Sequence, residues 1–182
     1  MGFGSTAWSW LHKLRAAMVR PGRLPLGEAV QIDEGFVGGR RGEKAMVLVA
    51  TETTDSRVRL AHANNNDAET LERFADANAA PKAEVTTDGH AGYNAKSLGD
   101  RPHEAHVQTP AERRERDTLQ GVHWTMSHLK RWLLGTHGGA VSGKHLQAYL
   151  DEFAFRHNRR KTNGVARIAA TRPFRAFPEL TA

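Results

Sequence analysis

The chain of 182 residues contains no cysteine, which excludes disulfides and thiolate-bound zinc. No apolar run approaches the length of a membrane span, and the start, MGFGSTAWSW, lacks a basic segment followed by an apolar core. Both absences argue against membrane insertion and secretion and leave the cytoplasm as the default compartment. Internal repeats are missing as well. Acid is missing from residues 1–23, which carry Lys13, Arg15, Arg20 and Arg23.

What is present is a basic protein of uneven charge. The net charge is +6; residues 24–100 hold 13 acids against 8 bases, and residues 101–182 hold 7 acids against 14 bases. A basic head and tail around an acidic middle suit a protein that wraps phosphate and also holds cations. A soluble basic protein with nothing bound has the same composition. The length suits one domain with a full core and a small appendage.

Thr6 to Val19 reads as an amphipathic helix, with Trp10, Leu11, Leu14 and Met18 at helical spacing and Pro21-Gly22 after it. Two roles fit it: the last helix of a helix-turn-helix, docking Lys13 and Arg15 on phosphates, or a packing helix from a larger domain. Arg20 to Gly27 reads as a linker. Val30 to Asp33 is a short alternating strand ending on Asp33-Glu34, and GFVGGRRGE is a glycine-rich turn. Ala45 to Thr51 and Arg57 to His62 complete an antiparallel meander.

A helix capped by Asn66 or Asp67 runs to about Ala77, and Ala83 to Thr87 is a fourth strand ending on Asp88. Gly89 to Leu98 is a turn and short helix, Glu104 to Gln108 a fifth strand, and Pro110 to Gln120 a charged loop. Two helices follow, from Val122 and from Ser142; the second carries the stripe Leu146, Tyr149, Leu150, Phe153 and His157. This order implies an α/β three-layer domain with a mixed five-stranded sheet, and it matches the ribonuclease-H-like fold.

Phosphodiester cleavage and strand transfer use two divalent ions, held for Mg²⁺ by oxygen ligands at converging element ends. Asp33 and Asp88 close strands that are neighbours in such a sheet. His123 follows Asp88 by 35 residues and opens the helix VHWTMSHLKRWLLGTH. At about 100° per residue, Lys130 falls roughly 20° from His123, while Val122, Met126, Leu129 and Leu133 form the sheet-facing stripe. His123 and Lys130 thus share a flank, with Trp124 and Trp132 on the far side. Singly, each residue has a plainer role: a strand-end Asp as a turn residue, His123 as a cap, Lys130 as a surface charge.

The blocks VQIDEGFVGG, VTTDGHAGY, SHLKRWLLGTHGGAVSGKHLQAYLDEFAFRHNRR and GFGSTAWSWLHKLRAAMVRPGR resemble the bacterial insertion-sequence transposases of the fifteen-ninety-five family, with the XO-two-like transposase domain. The resemblance covers about residues 2–161. It implies a DDE-type catalytic domain that cleaves transposon ends with Mg²⁺ or Mn²⁺, two ions being expected, and joins the 3′-hydroxyl to target DNA. Carried over, Asp33, Asp88 and His123 are the metal positions, with Lys130 beside them as a catalytic lysine. Glu34 is placed around them. Lys130, Arg131, Arg156, Arg159 and Arg160 are the expected DNA contacts, with one of Arg156 and Arg159 packing instead.

The family commonly has Glu or Asn at the third position. Imidazole there removes a negative charge and weakens the preference for Mg²⁺ over Mn²⁺. Glu152 is the alternative third carboxylate, on a different helix. Relatives carry a zinc ribbon and a helix-turn-helix before this domain, so the chain is expected to be N-terminally truncated. The expected division is a DNA-binding remnant and linker at 1–27, a catalytic domain at 28–161 and a tail at 162–182. The resemblance implies DNA and further copies assembled on it as partners, in the nucleoid. Two other functions fit: an inactive remnant that only binds DNA, and a host-adopted nuclease.

Overall fold

The computed structural model describes residues 3–19, 22–38, 44–139 and 143–161. The expected tail at 162–182 lies outside the described residues, as does most of the glycine-rich turn. The strands are β1 (Ala29–Val37), β2 (Ala45–Glu52), β3 (Val58–Ala63), β4 (Glu84–Thr87) and β5 (His103–Ala105). They form one sheet in the order β3-β2-β1-β4-β5, antiparallel from β3 to β1 and parallel from β1 to β5. The helices are α1 (Phe3–Met18), α2 (Ala68–Asn78), α3 (Ala95–Leu98), α4 (Pro110–Glu115), α5 (Gln120–His137) and α6 (Gly143–Asn158).

Strand alternation builds two cores. Val30, Ile32, Leu48 and Ala50 face one side and pack with Leu71 and Phe74 of α2 and with Leu98 of α3. Val47 and Val49 face the other side, where Val122, Met126 and Leu129 of α5 meet Leu146, Leu150 and Phe153 of α6. The result is the expected three layers. α1 packs outside α6, with Arg15 buried and its Nε 2.8 Å from Glu152 Oε2.

Four expectations are corrected. First, β1 does not end on its acids: it pairs with β2 as far as Val37 opposite Ala45, leaving Asp33 inside the strand opposite Val49. Second, the charged loop contains α4, whose N-terminus is a reciprocal cap between Thr109 and Glu112 with Pro110 in the first turn. Third, the linker is anchored: Leu26 is fully buried, its N–H donates to Asn78 O at 2.7 Å, and its carbonyl accepts from Ala80 N–H at 2.8 Å. Fourth, β5 spans His103–Ala105 rather than Glu104 to Gln108.

α5 begins two residues earlier than expected, and its N-cap position, Leu119, offers no side-chain hydrogen bond. Gln31 of β1 replaces the cap. Its amide donates to Thr118 O and accepts from Gly121 N–H, both at 2.9 Å. Gly121 permits this approach, since a Cβ there would stand 2.8 Å from Gln31 Oε1 and 3.0 Å from Thr51 Cγ2. Gly35 likewise lies against Met126, so Gln31, Asp33 and Gly35 form the face of β1 that meets α5.

Candidate active site

That face sets the geometry. Asp33 is buried, its Oδ1 accepts Glu34 N–H at 2.8 Å, and its Oδ2 lies 3.5 Å from His123 Nε2. The other ring nitrogen, Nδ1, is 2.7 Å from Asp117 Oδ2. The imidazole therefore stands between two carboxylates. Its pKa is raised by the hydrogen bond to Asp33; burial opposes this, and the bond to Asp117 adds to it.

The parallel register of β1 and β4 runs from Ala29 opposite Glu84 to Gln31 opposite Thr86. Continued two residues past that last pair, and so one residue past the end of β4, it sets Asp88 level with Asp33. Asp88 Oδ1 accepts His90 N–H at 2.9 Å, which turns the chain as it leaves the sheet. Glu34 points to the opposite side of β1, where Tyr93 Oη donates to it at 3.1 Å and Asn66 Nδ2 at 2.8 Å. Tyr93 is itself buried at this point. Burial first, then the charges of Glu34, Asp33 and Asp88, push its phenol far above the ordinary range.

The donor types suit a divalent ion: each aspartate has one oxygen on a backbone N–H and a second outside that turn, and an imidazole nitrogen lies beside Asp33. Among the described residues, no three His, Asp or Glu side chains are already grouped to hold an ion. Lys130 and Arg131 are exposed further along α5. Trp124 is exposed on the far side, but Trp132 packs on Phe153 with centroids 5.8 Å apart.

Glu152 does not join this group. It is buried between Arg15 and Arg156, which bond to it at 2.8 and 2.9 Å. These contacts also turn Arg15 inward, away from the phosphate role open to it. Arg156 is exposed and reaches back one turn to pair with Glu152, Arg159 lies over the Phe155 ring at 3.8 Å, and Arg160 donates to His157 O at 2.8 Å. The sequence reading missed Asp117, Gln31 and Tyr93. For Gln31, the spacing of two from Asp33 on one strand was the available signal.

The fold is ribonuclease-H-like, as found in integrase catalytic cores. The catalytic core domain of BIV integrase superposes with a TM-score of 0.50 at 16% identity, over 76% of this chain and 88% of that one. A chain of the simian T-cell lymphotropic virus intasome in complex with PP2A regulatory subunit B56 gamma gives 0.54 at 16% identity, over 90% of this chain and 61% of that one. At such identity the likeness concerns the fold alone.

The family is set by sequence. Residues 25–158 match the ISXO2-like transposase domain, and the chain belongs to that family. Comparison with curated proteins gave no match.

Proposed function

We propose that the chain is a DDE-type transposase catalytic domain that cleaves transposon-end DNA and joins the freed 3′-hydroxyl to target DNA. The observation that carries this reading is the meeting of Asp33 with His123 Nε2 at 3.5 Å, at the level in the sheet to which the register brings Asp88. Family membership supports it. Mg²⁺ or Mn²⁺, as a pair of ions, would supply activation of the attacking oxygen and stabilisation of the leaving one.

Asp33 and Asp88 would hold the ions through oxygen and His123 through Nε2. Lys130, about two turns further along the same flank of α5, would take a DNA phosphate with Arg131. Arg156 and Arg160, both exposed, would extend the basic surface, while Arg159 packs on the Phe155 ring. α1 presents the exposed Lys13, which would add to this surface, and is tied to α6 through Arg15. Assembly of several copies on DNA in the nucleoid belongs to the same reading.

The test is Mn²⁺-dependent nicking and strand transfer on oligonucleotides carrying the element's ends. Asp33→Ala and Asp88→Ala should abolish both; equal activity in wild type and variants would overturn the proposal. One observation favours the alternative, a protein that binds DNA without cutting it: His123 Nε2 already lies 3.5 Å from Asp33 Oδ2, against the oxygen that an ion would need. That alternative predicts salt-sensitive binding that survives loss of both aspartates, with no cleavage by the wild type.

A further inference from the structure

Replacing a third acid by His123 should cost the site one negative charge and leave a ring free to turn. The structure answers both problems with Asp117. Its Oδ2 lies 2.7 Å from His123 Nδ1, while its Oδ1 accepts Leu119 N–H at 3.0 Å. Both oxygens are thus engaged, and the side chain is 20% exposed against 28% for His123.

The backbone around Asp117 is held as firmly. Thr118 donates to Gln108 Oε1 through its N–H at 3.1 Å and its hydroxyl at 2.8 Å. Its carbonyl accepts from Gln31, which also takes Gly121 N–H. Gln31 lies two residues before Asp33 on the same face of β1. One strand therefore places both the carboxylate in front of the imidazole and the clamp behind it.

From this geometry we infer that Asp117 is a positioning residue: it fixes Nδ1 of His123 so that Nε2 alone faces Asp33 and a divalent cation bound there. This rests on the metal-dependent reading above. The two ring nitrogens are not equivalent, and the partner of one decides what the other can do. A carboxylate behind a ligating imidazole sets its tautomer and raises its strength as a donor. It also restores charge: Asp33, Asp88 and Asp117 carry the three negative charges that three direct carboxylates would. Because nitrogen is the third donor, the inference favours Mn²⁺ over Mg²⁺.

Two measurements test it. Mn²⁺ titration by calorimetry should show about 10–100-fold weaker binding in Asp117→Asn and Asp117→Ala than in wild type. Nitrogen NMR of metal-free protein with neutral imidazole should show the proton of His123 on Nδ1, moving to Nε2 in Asp117→Ala. A change in folding stability alone would leave that tautomer signal where it is. Wild-type His123 with its proton on Nε2, or a tautomer indifferent to Asp117→Ala, overturns the positioning role. Unchanged Mn²⁺ affinity in Asp117→Asn also overturns it. Failure of wild type to take up Mn²⁺ through Asp33 overturns instead the metal reading, which the tautomer measurement does not require.

Discussion

Asn158 grips the backbone of Val58 from both sides: its Oδ1 accepts Val58 N–H at 2.8 Å and its Nδ2 donates to Val58 O at 3.0 Å. Three turns earlier on α6, Gln147 does the same, accepting His62 N–H at 2.9 Å and donating to Leu60 O at 3.3 Å. β3 is the edge of the sheet, and an open edge is a template for pairing with another chain. Two amides on one helix satisfy it instead. Asn158→Ala should cost about 1–2 kcal/mol, because it leaves Val58 N–H without its partner and Val58 O with Arg59 Nη1 alone, at 3.1 Å. Gln147→Ala, more exposed, should cost less. Urea unfolding measures both, and light scattering should show more self-association in the double variant. A double variant as stable and monodisperse as wild type would remove this role from α6.

Glu152 should matter to folding and not to metal. Arg15 and Glu152 are both buried at 2.8 Å, with the Arg15 guanidinium 4.7 Å from the Tyr149 ring centroid. Removing one partner of such a pair strands a buried charge, so Glu152→Ala should lose about 3–5 kcal/mol. Glu152→Gln keeps an acceptor for Arg15 and should fold well enough for titration. Its Mn²⁺ uptake should equal that of wild type. A tenfold loss would bring Glu152 back as a metal ligand.

Acid should unfold the protein through Glu52. Burial pushes this carboxyl up, but hydrogen bonds from Arg57 and Gly27 outweigh burial and hold it at about 2, against an ordinary 4.5. A depressed folded-state pKa contributes stability above the unfolded value and loses it as pH falls through the folded one. The contribution, on the order of 3 kcal/mol at neutral pH, should disappear between those two values. Melting temperatures of wild type and Glu52→Gln should converge across that window. Curves that stay parallel would assign the acid limb to other carboxylates.

Much of the fold was readable because the strands carry period-two alternation and the helices period 3.6. The order of elements then placed Asp33 and Asp88 on adjacent strands. The misreadings have local causes. Glu34 and Gly35 resemble a turn, yet β1 continues through them because its faces serve different neighbours: Glu34 meets Tyr93 and Asn66, and Gly35 admits Met126. α4 was hidden by its charge, although Thr109, Pro110 and Glu112 spell its cap. Asp117 was not legible at all. It stands in the run AERRERD, and only the loop joining α4 to α5 turns it onto His123.

The close approach of α5 to β1 yields a comparison within one helix. A Cβ at Gly121 would meet Gln31 Oε1 at 2.8 Å and Thr51 Cγ2 at 3.0 Å, whereas one at Gly135 would meet nothing within 4 Å. Gly135→Ala should therefore gain up to about 1 kcal/mol, since alanine is the better helix former and nothing opposes it. Gly121→Ala takes the same helical gain but must push the first turn of α5 off the sheet, an overpacking cost of about 1–3 kcal/mol. The displaced turn carries His123 away from Asp33, so Mn²⁺ affinity should fall in Gly121→Ala and stay constant in Gly135→Ala. Equal stability and equal Mn²⁺ affinity in the two variants would mean that the spacing between α5 and β1 does not control the site.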